Sequence, residues 1–251
     1  MQHLFDMNGQ NIYKATRTDS PVLNFQNSTD LPDKARVQYL EEHLHLFDSG
    51  TILDIGCGKD ALYSELLAAK GKNVIAADIY DALPNLSSNI KYLPIKKPGM
   101  IPLHDCSVNV VWASHVLEHA CDLGSFLMEI RRVLVVDGLI LVAVPPFKYE
   151  IVNHFTTGWS VGQLAYVLAG FGFNCNSIRF LEKGYNVLGG GMKSELLINP
   201  THFGINGVSI KKVINYLPKH IKIRLEDQIA KDIDIVRFEG NIKDTGTVVH
   251  E

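Results

Sequence analysis

A carboxylate and two glycines lie where one apolar segment ends and a helical pattern begins. Thr51 to Ile55 is an apolar run that contains Asp54, and Gly56 and Gly58 follow it directly. This order predicts a strand, a tight turn and a helix start. Glycines allow a sharp turn and a close approach to a ligand, and the free N–H groups of the new helix point at that ligand. Asp78 ends the next apolar run, so the pattern predicts a nucleotide-cofactor site.

The charge of the turn separates two cofactor classes. The spacing Gly-x-Gly-x-x-Ala, through Gly56, Gly58 and Ala61, also occurs in nicotinamide-binding folds. A carboxylate at Asp54 would repel a pyrophosphate, whereas it would attract S-adenosylmethionine, whose amino group and sulfonium are both cationic. Asp78 suits both classes, because a carboxylate accepts hydrogen bonds from both ribose hydroxyls. The charge favours the methyl donor, and a nicotinamide dehydrogenase is the weaker hypothesis.

Composition and charge narrow the function classes. The chain has 251 residues, 46% of them hydrophobic, which is enough for a full core and for an enzyme. Its net charge of −3 gives no general reason for a polyanion partner, so no nucleic acid is expected. No apolar run approaches a membrane span and no leader pattern is recognised, so a cytoplasmic location is expected. Four cysteines share no CxxC spacing and are expected to be buried thiols: Cys57, Cys106, Cys121 and Cys175.

Apolar periodicity predicts alternating strands and helices over residues 33–196. Strands are predicted at 51–55, 73–77, 91–95, 108–113, 139–144, 173–181 and 185–192, and helices at 33–49, 59–70, 126–134 and 161–171. The glycines from Gly189 to Gly191 weaken the last strand, because glycine adds no side-chain packing. The alternation predicts an α/β fold with a doubly wound, mostly parallel sheet, and ligands in such sheets bind beyond the carboxyl ends of the strands.

The two ends of the chain differ from this core. Residues 1–32 are polar without a sustained period and are predicted to form an irregular N-terminal arm. Residues 197–251 form a C-terminal extension, with helical spacing from Ile210 to Leu217 and a polar, glycine-punctuated end. We therefore predict an arm at 1–32, a core at 33–196 and a partly helical extension at 197–251.

Several further segments accompany the glycine turn in a fixed order. They are Ile52 to Gly58, Asp78, Ile101 to Val111, Ser114 to His119, Arg132 to Leu134, and Asp137 to Pro145. Together they resemble the class I S-adenosylmethionine-dependent methyltransferases, especially the small-molecule branch with a Leu-Glu-His signature after the fourth strand. The resemblance covers roughly residues 50–196 and implies a Rossmann-like sheet with an antiparallel last strand.

The resemblance implies where S-adenosylmethionine would bind. Its methionine half would border Asp54, Gly56, Cys57 and Gly58, its ribose would lie at Asp78, its adenine on Ile79, and its methyl group near Ser114 and His115. Cys57 is interpreted as a small residue tolerated in the turn, since no base stands beside it in the sequence to activate a nucleophile.

The chain departs from the family pattern at three places. Asp60 stands where a third glycine is frequent, and it is expected to cap the following helix. Lys96 to Pro98 replace an aspartate that commonly contacts the adenine amine, so adenine is expected to meet backbone groups of this loop. Val108 and Asn109 replace a Phe-Asp pair, a change expected to affect packing only.

Three histidines are candidates for a general base. In falling order of family placement they are His119, His115 and His154, and a base is needed only if the acceptor must lose a proton. An alternative role for Glu118 and His119 is to orient a loop within the fold. A zinc site built from the three histidines is not expected, because no cysteine or carboxylate spacing supports it.

The resemblance predicts an enzyme that moves a methyl group to an O, N or C atom of a small-molecule or glycan-type acceptor. Holding the two reactants in line contributes on the order of 7–11 kcal/mol, and no covalent protein chemistry is needed. Asp60 and the missing adenine aspartate motivate an alternative, a catalytically silent S-adenosylmethionine-binding fold that acts as a partner or regulatory subunit.

Overall fold

A computed structural model of the chain describes residues 33–46, 49–83, 86–97, 99–148, 157–197 and 213–221. Its helices are α1 (Lys34–Leu44), α2 (Leu62–Ala69), α3 (Leu123–Val133) and α4 (Val161–Gly170), with short 3-10 helices at Leu117–His119 and Ile214–Tyr216. Its strands are β1 (Thr51–Ile55), β2 (Asn73–Asp78), β3 (Ile90–Pro94), β4 (Val108–Ser114), β5 (Leu134–Val144), β6 (Phe173–Asn174), β7 (Leu181–Glu182) and β8 (Val187–Lys193). These elements belong to one compact unit that ends at Pro218. No helix within the described ranges is long and apolar enough to cross a lipid bilayer.

The strands form a single mixed sheet. Their order is β3-β2-β1-β4-β5-β8-β6, and β7 pairs with β8 off this path. The pairs from β3 through β5 are parallel, whereas β8 runs antiparallel to β5, β6 and β7. This arrangement confirms the predicted doubly wound, mostly parallel sheet and its antiparallel late strand. The strand order reverses between β1 and β4, and ligands of such sheets bind beside that reversal, at the carboxyl ends of the strands.

Strand β5 lies at the centre of the core and is longer than predicted. All residues from Leu139 to Val144 are fully buried, as a strand covered on both faces requires. The strand begins at Leu134 rather than at residue 139, because Leu134 pairs with Val108 across an irregular register. Asp137, with a φ of 58°, lies within the strand and not before it.

Helix α1 begins where its cap predicts. The Asp33 carboxylate accepts hydrogen bonds from the N–H groups of Ala35 and Arg36 at 2.9 and 3.1 Å. The helix ends at Leu44, earlier than the expected residue 49. Its buried Tyr39 donates a hydrogen bond to the Arg179 carbonyl at 2.8 Å, which ties the helix to the segment after β6.

The start of α2 contradicts the expected cap at Asp60. The capping position is Ala61, which has a φ of 43° and makes no side-chain cap hydrogen bond. Asp60 is exposed. The glycine turn brings the chain into the helix through the left-handed conformation of Ala61, so Asp60 stands one residue too early to cap it.

The last strands show why three glycines follow one another. A Cβ atom at Gly189 would collide with the Phe180 ring, and one at Gly190 would collide with the Ile140 carbonyl of β5. Gly189 to Gly191 therefore allow β8 to lie close to its neighbours, and the predicted strand at 185–192 is present. The predicted strand at 173–181 is wrong: a turn, in which the Ile178 N–H donates to the Cys175 carbonyl at 3.1 Å, separates β6 from β7.

The C-terminal extension and the cysteines also test the expectations. Residues 213–217 contain a short 3-10 helix. The predicted arm at 1–32 and residues 198–212 and 222–251 lie outside the described residues.

Cys57 and Cys175 are buried, but Cys106 and Cys121 are exposed. The expectation that all four thiols are buried is therefore wrong for two of them.

Candidate active site

The glycine turn after β1 has the shape of a ligand cradle. Gly56 and Gly58 have φ values of 73° and 72°, in the left-handed region that favours glycine. A Cβ atom at Gly56 would lie 2.8 Å from the Val116 side chain, whereas no atom of the described residues lies within 4 Å of one at Gly58. The turn is anchored underneath, because the N–H groups of Gly56 and Cys57 donate to the Ala77 carbonyl at 2.8 and 3.2 Å. Gly58 thus borders open space beside the strand-order reversal.

Asp78 joins the end of β2 to this turn. One carboxylate oxygen accepts a hydrogen bond from the Gly58 N–H at 2.7 Å, and the other accepts from the Ile79 N–H at 2.7 Å. A carboxylate oxygen has two lone-pair directions, so each oxygen keeps one for a ligand. The Ile79 side chain is 74% exposed, an unusual position for an apolar group at the edge of a buried sheet.

Asp54 lies beneath the turn rather than on its open side. Its side chain is 1% exposed and accepts a hydrogen bond from the Ser64 hydroxyl of α2 at 2.6 Å. Burial raises its pKa to about 7, the Ser64 hydrogen bonds oppose the rise, and the neighbouring Asp78 charge adds to it. Burial therefore disfavours the ionised form of this carboxyl group. Its contact with a donor ammonium remains a prediction.

Cys57 does not have the properties of a nucleophile. Its thiol is buried and donates a weak hydrogen bond to the Gly58 carbonyl at 3.5 Å. Burial, followed by the charges of Asp54 and Asp78, raises the pKa of this thiol far above its usual range. Since the thiolate is the reactive form, the thiol stays protonated and unreactive.

The end of β4 meets α1 on the other side of the reversal. An Arg36 guanidinium nitrogen donates to the Ser114 hydroxyl at 3.1 Å, and the guanidinium lies 5.4 Å from the centre of the Tyr63 ring. The Tyr63 ring in turn packs edge-on to Trp112 at 5.5 Å. Neither Arg36 nor Tyr63 belongs to a sequence motif, and the helical spacing of α1 is the only signal that could have drawn attention to Arg36.

The Leu117–His119 helix brings a buried carboxyl group between two histidines. Glu118 has no exposed surface, and one of its oxygens lies 3.5 Å from His115 Nδ1 and 4.0 Å from His119 Nε2. The other ring nitrogen of His115, Nε2, lies 2.9 Å from the Asn186 side-chain oxygen. Asn186 follows the β7–β8 turn and was not predicted from the sequence. His115 has a φ of 54°, which turns the chain from β4 into this helix.

Burial opposes the ionisation of both His115 and Glu118. Burial lowers the pKa of His115 to about 4, and the nearby Arg36 charge adds to the effect. Burial also raises the pKa of Glu118 to about 7. The side chains of His115 and His119 are 23% and 35% exposed, so His119 has the greater access to solvent.

The third candidate histidine, His154, lies outside the described residues. Trp159, beyond that gap, is buried and forms a β-bridge with Pro146. Lys148 lies 6.0 Å from the centre of the Tyr185 ring, which is 6.3 Å from the His115 ring. This places one cation and one partly exposed ring near the histidines.

The loop that replaces the adenine aspartate carries a cation instead. Lys96 forms an ion pair with Asp81, just after Ile79, and the Tyr92 hydroxyl donates to the Tyr80 carbonyl at 2.6 Å. Asn109 accepts a hydrogen bond from the Thr51 N–H at 2.9 Å, which is a structural role at the start of β1. Within the described ranges, no three His, Cys, Asp or Glu side chains are grouped so that they could hold a metal ion.

Comparison with known sequences gives a family for the centre of the chain. Residues 53–142 match a family described as a methyltransferase domain. A probable S-adenosylmethionine-dependent methyltransferase of Mycobacterium tuberculosis is 29% identical over 149 residues, which cover 55% of this chain and 54% of the relative. A similarly named protein of Mycolicibacterium smegmatis is 32% identical over 97 residues, covering 38% of this chain and 37% of that protein. The chain therefore matches about half the length, or less, of these curated relatives.

Solved structures share the fold at low sequence identity. The 1,6-didemethyltoxoflavin-N1-methyltransferase of Burkholderia thailandensis, solved with S-adenosylhomocysteine, aligns with a TM-score of 0.54 at 17% identity, over 65% of this chain and 80% of its own. A protein from Pyrococcus horikoshii aligns with a TM-score of 0.53 at 17% identity, over 68% of this chain and 94% of its own. Residues 53–142 thus match the methyltransferase-domain family, within a Rossmann-like sheet whose fold these two solved structures share.

Proposed function

We propose that this chain is an S-adenosylmethionine-dependent methyltransferase that acts on a small-molecule or glycan-type acceptor. The observation that carries the proposal is the pairing of Gly58 with Asp78 at the reversal of strand order. There, open space above a glycine lies next to a carboxylate that two backbone N–H groups hold in place. The match of residues 53–142 to the methyltransferase-domain family supports the same activity.

The residues at this edge fit the chemical groups of the proposed donor. Asp78 keeps one lone-pair direction on each oxygen, enough for two ribose hydroxyl groups. The exposed Ile79 side chain offers an apolar surface to an adenine ring. Gly58 leaves room for the methionine chain, and the carboxyl group of Asp54 beneath the turn favours a nearby ammonium group.

The protein's contribution to methyl transfer is to bind and orient. Bound S-adenosylmethionine would supply a methyl group on a cationic sulfur: an acceptor lone pair would form a bond to the methyl carbon, and the electron pair of the broken carbon–sulfur bond would leave with S-adenosylhomocysteine. The hydrogen bonds of Asp78 fix the turn relative to β2, and the bond from Arg36 to Ser114 fixes the end of β4 relative to α1. These bonds hold both sides of the reversal in place, which reduces the cost of positioning two reactants.

His119 is our candidate for a base, if the acceptor must lose a proton. Both ring nitrogens of His115 face protein groups, Asn186 and Glu118, and its lowered pKa makes it a weak base. His119 is the more exposed imidazole and lies near the Glu118 carboxyl group, which would orient it. A role for His154 stays a prediction, as does membership of the branch with the Leu-Glu-His signature.

Binding of S-adenosylhomocysteine to the purified chain tests the donor site. Isothermal titration calorimetry on the wild type should show one site, and Asp78→Asn should weaken it roughly tenfold to a hundredfold, because charge-assisted hydrogen bonds are lost. Asp137→Asn is the matched control, because it makes the same change at an exposed aspartate of β5. The left-handed φ of Asp137 is one that asparagine also adopts. A wild type that does not bind the compound refutes the proposal.

Release of S-adenosylhomocysteine during incubation with S-adenosylmethionine and a panel of acceptors tests the reaction. The panel should contain hydroxyl, amine and activated carbon acceptors, with free sugars among the hydroxyl group. Turnover by the purified chain alone supports an enzyme. Donor binding without turnover on any acceptor, together with a stable complex captured in native mass spectrometry, favours the silent partner instead.

A further inference from the structure

The carboxyl edge of the sheet continues past the proposed donor site. The donor residues follow β1 and β2, on one side of the reversal of strand order. On the other side lie the ends of β4 and β5 and the start of β8, because β8 runs antiparallel to β5 and Val144 pairs with Val187. An acceptor that meets the donor at the reversal would therefore extend along the segments after β4 and β5 and before β8.

Tyr185, just before β8, is a large ring that a closed turn holds at the surface. The Lys183 N–H donates to the Asn186 carbonyl at 2.9 Å, and the Asn186 side-chain nitrogen donates to the Lys183 carbonyl at 3.3 Å. Asn186 is 1% exposed, and its side-chain oxygen lies 2.9 Å from His115 Nε2. Tyr185 is 41% exposed, and its ring centre lies 6.3 Å from that of His115. The turn thus presents an aromatic surface beside the end of β4.

Lys148, just after β5, brings a positive charge to this ring. Its Nζ lies 6.0 Å from the centre of the Tyr185 ring, which is the range of a cation–π contact. The backbone before it is fixed, because Pro146 forms a β-bridge with Trp159 and the Phe147 N–H donates to the Trp159 carbonyl at 2.9 Å. Lys148 is exposed, and it forms no ion pair with a residue that the structure describes.

Three other charged side chains near this edge are engaged or buried. Arg36 donates to the Ser114 hydroxyl at 3.1 Å. Lys183 donates to a glutamine side chain of α1 at 3.0 Å. Glu118 has no exposed surface, so it presents no negative charge to a ligand at the surface. Lys148 therefore differs from these neighbours in having an exposed ammonium group that is available to a ligand.

We propose that the acceptor carries an anionic group, a carboxylate or a phosphate, which Lys148 binds while the Tyr185 ring packs against the rest of the molecule. An ammonium group has three donors and no acceptor, so an anionic oxygen is its complementary ligand. The distances of 6.0 Å from Lys148 to Tyr185 and 6.3 Å from Tyr185 to His115 are on the scale of one small molecule. The substrate class rests on the proposed function, whereas anion binding at Lys148 does not.

Titration of the purified chain with three probes tests the anion site without turnover. Benzoate and phenyl phosphate are anionic, and benzamide is a neutral analogue of benzoate. Nuclear magnetic resonance shifts of Tyr185 and His115 give the dissociation constants. At least one anion should bind roughly fivefold more tightly than benzamide, and added salt should reduce the difference. Equal affinities for the three probes, or no binding of either anion, overturns the proposal.

Three variants assign the effects to single side chains. Lys148→Gln should lose the preference for an anion, whereas Lys91→Gln, at an exposed lysine of the edge strand β3, is the matched control and should keep it. Tyr185→Leu should weaken all three probes by roughly two- to tenfold and leave the preference unchanged. A preference that survives in Lys148→Gln overturns the role of the charge, and wild-type affinities in Tyr185→Leu overturn the role of the ring.

Turnover extends the test to the substrate class. Among acceptors that the chain methylates, those with a carboxylate or phosphate should have the higher kcat/KM, and Lys148→Gln should lower that value through KM with kcat retained. Methylation of neutral acceptors alone overturns the assigned class. Failure of S-adenosylhomocysteine to bind in calorimetry would remove the proposed function, but the three-probe titration would still decide whether Lys148 binds an anion.

Discussion

A methyl group added at Gly58 tests whether this glycine is needed for ligand binding or only for the conformation of the turn. Gly58 has a φ of 72°, and no described atom lies within 4 Å of the position that a Cβ would take. Gly71, which follows α2 at the amino end of β2, has a φ of 77° and the same open surroundings. Gly58→Ala and Gly71→Ala therefore impose the same conformational cost at opposite edges of the sheet.

The size of both effects follows from this geometry. A non-glycine residue in the left-handed region costs about 1–2 kcal/mol, so each variant should lose roughly 2–8 °C in Tm. In Gly58→Ala the new methyl group also projects into the space proposed for the donor. Overpacking typically costs about 1–3 kcal/mol, which corresponds to a loss of roughly 5- to 150-fold in affinity for S-adenosylhomocysteine.

Thermal unfolding and calorimetry on the same protein preparations check both parts. We expect matching losses of Tm in the two variants and a loss of affinity in Gly58→Ala alone. If Gly58→Ala binds S-adenosylhomocysteine as tightly as Gly71→Ala does, the space above Gly58 is not part of the donor site. If both variants lose affinity together, general destabilisation explains the result and the argument from local geometry is wrong.

Two further predictions concern stability. Asp54→Asn mimics the protonated acid. Because burial raises the pKa of Asp54 from 3.8 to about 7, the free energy of unfolding of the wild type should fall by up to about 4 kcal/mol relative to this variant as pH rises from 4 to 8. Urea denaturation measures this difference, and a difference that does not change with pH would contradict the assigned burial effect. Gly189→Ala should cost about 1–3 kcal/mol in the same assay, since its Cβ meets the Phe180 ring. Phe180→Leu should recover part of that loss, and an unchanged loss in the double variant would refute the contact.

Local signals in the sequence predict the fold around the glycine turn well. Asp33 caps α1, the run through Ile55 ends in a glycine turn, and Asp78 ends β2 beside it. Each of these features depends on residues within a few positions of one another. Hydrophobic periodicity and turn chemistry act over that range, which is why the alternating strands and helices follow from the pattern.

The end of β4 and the segment after it depend on contacts that no local pattern contains. Arg36 reaches Ser114, and Asn186 reaches His115, only after the sheet has brought distant segments together. The capping error at Asp60 has a similar origin, because the left-handed φ of Ala61 is set by the path of the turn into α2. The sequence names His115 as a candidate base, whereas its contact with Asn186 could be found only in the structure.

The two hydrogen bonds of Asp78 join two strand-end turns through one side chain. Gly58 belongs to one turn and Ile79 to the other, yet both amides donate to the same carboxylate. In the proposed donor site, a ribose bound to this carboxylate would also hold the turn that receives the amino-acid half. S-adenosylmethionine would then bind more tightly than its separate fragments combined, which would allow the proposed site to discriminate against free adenosine and free methionine.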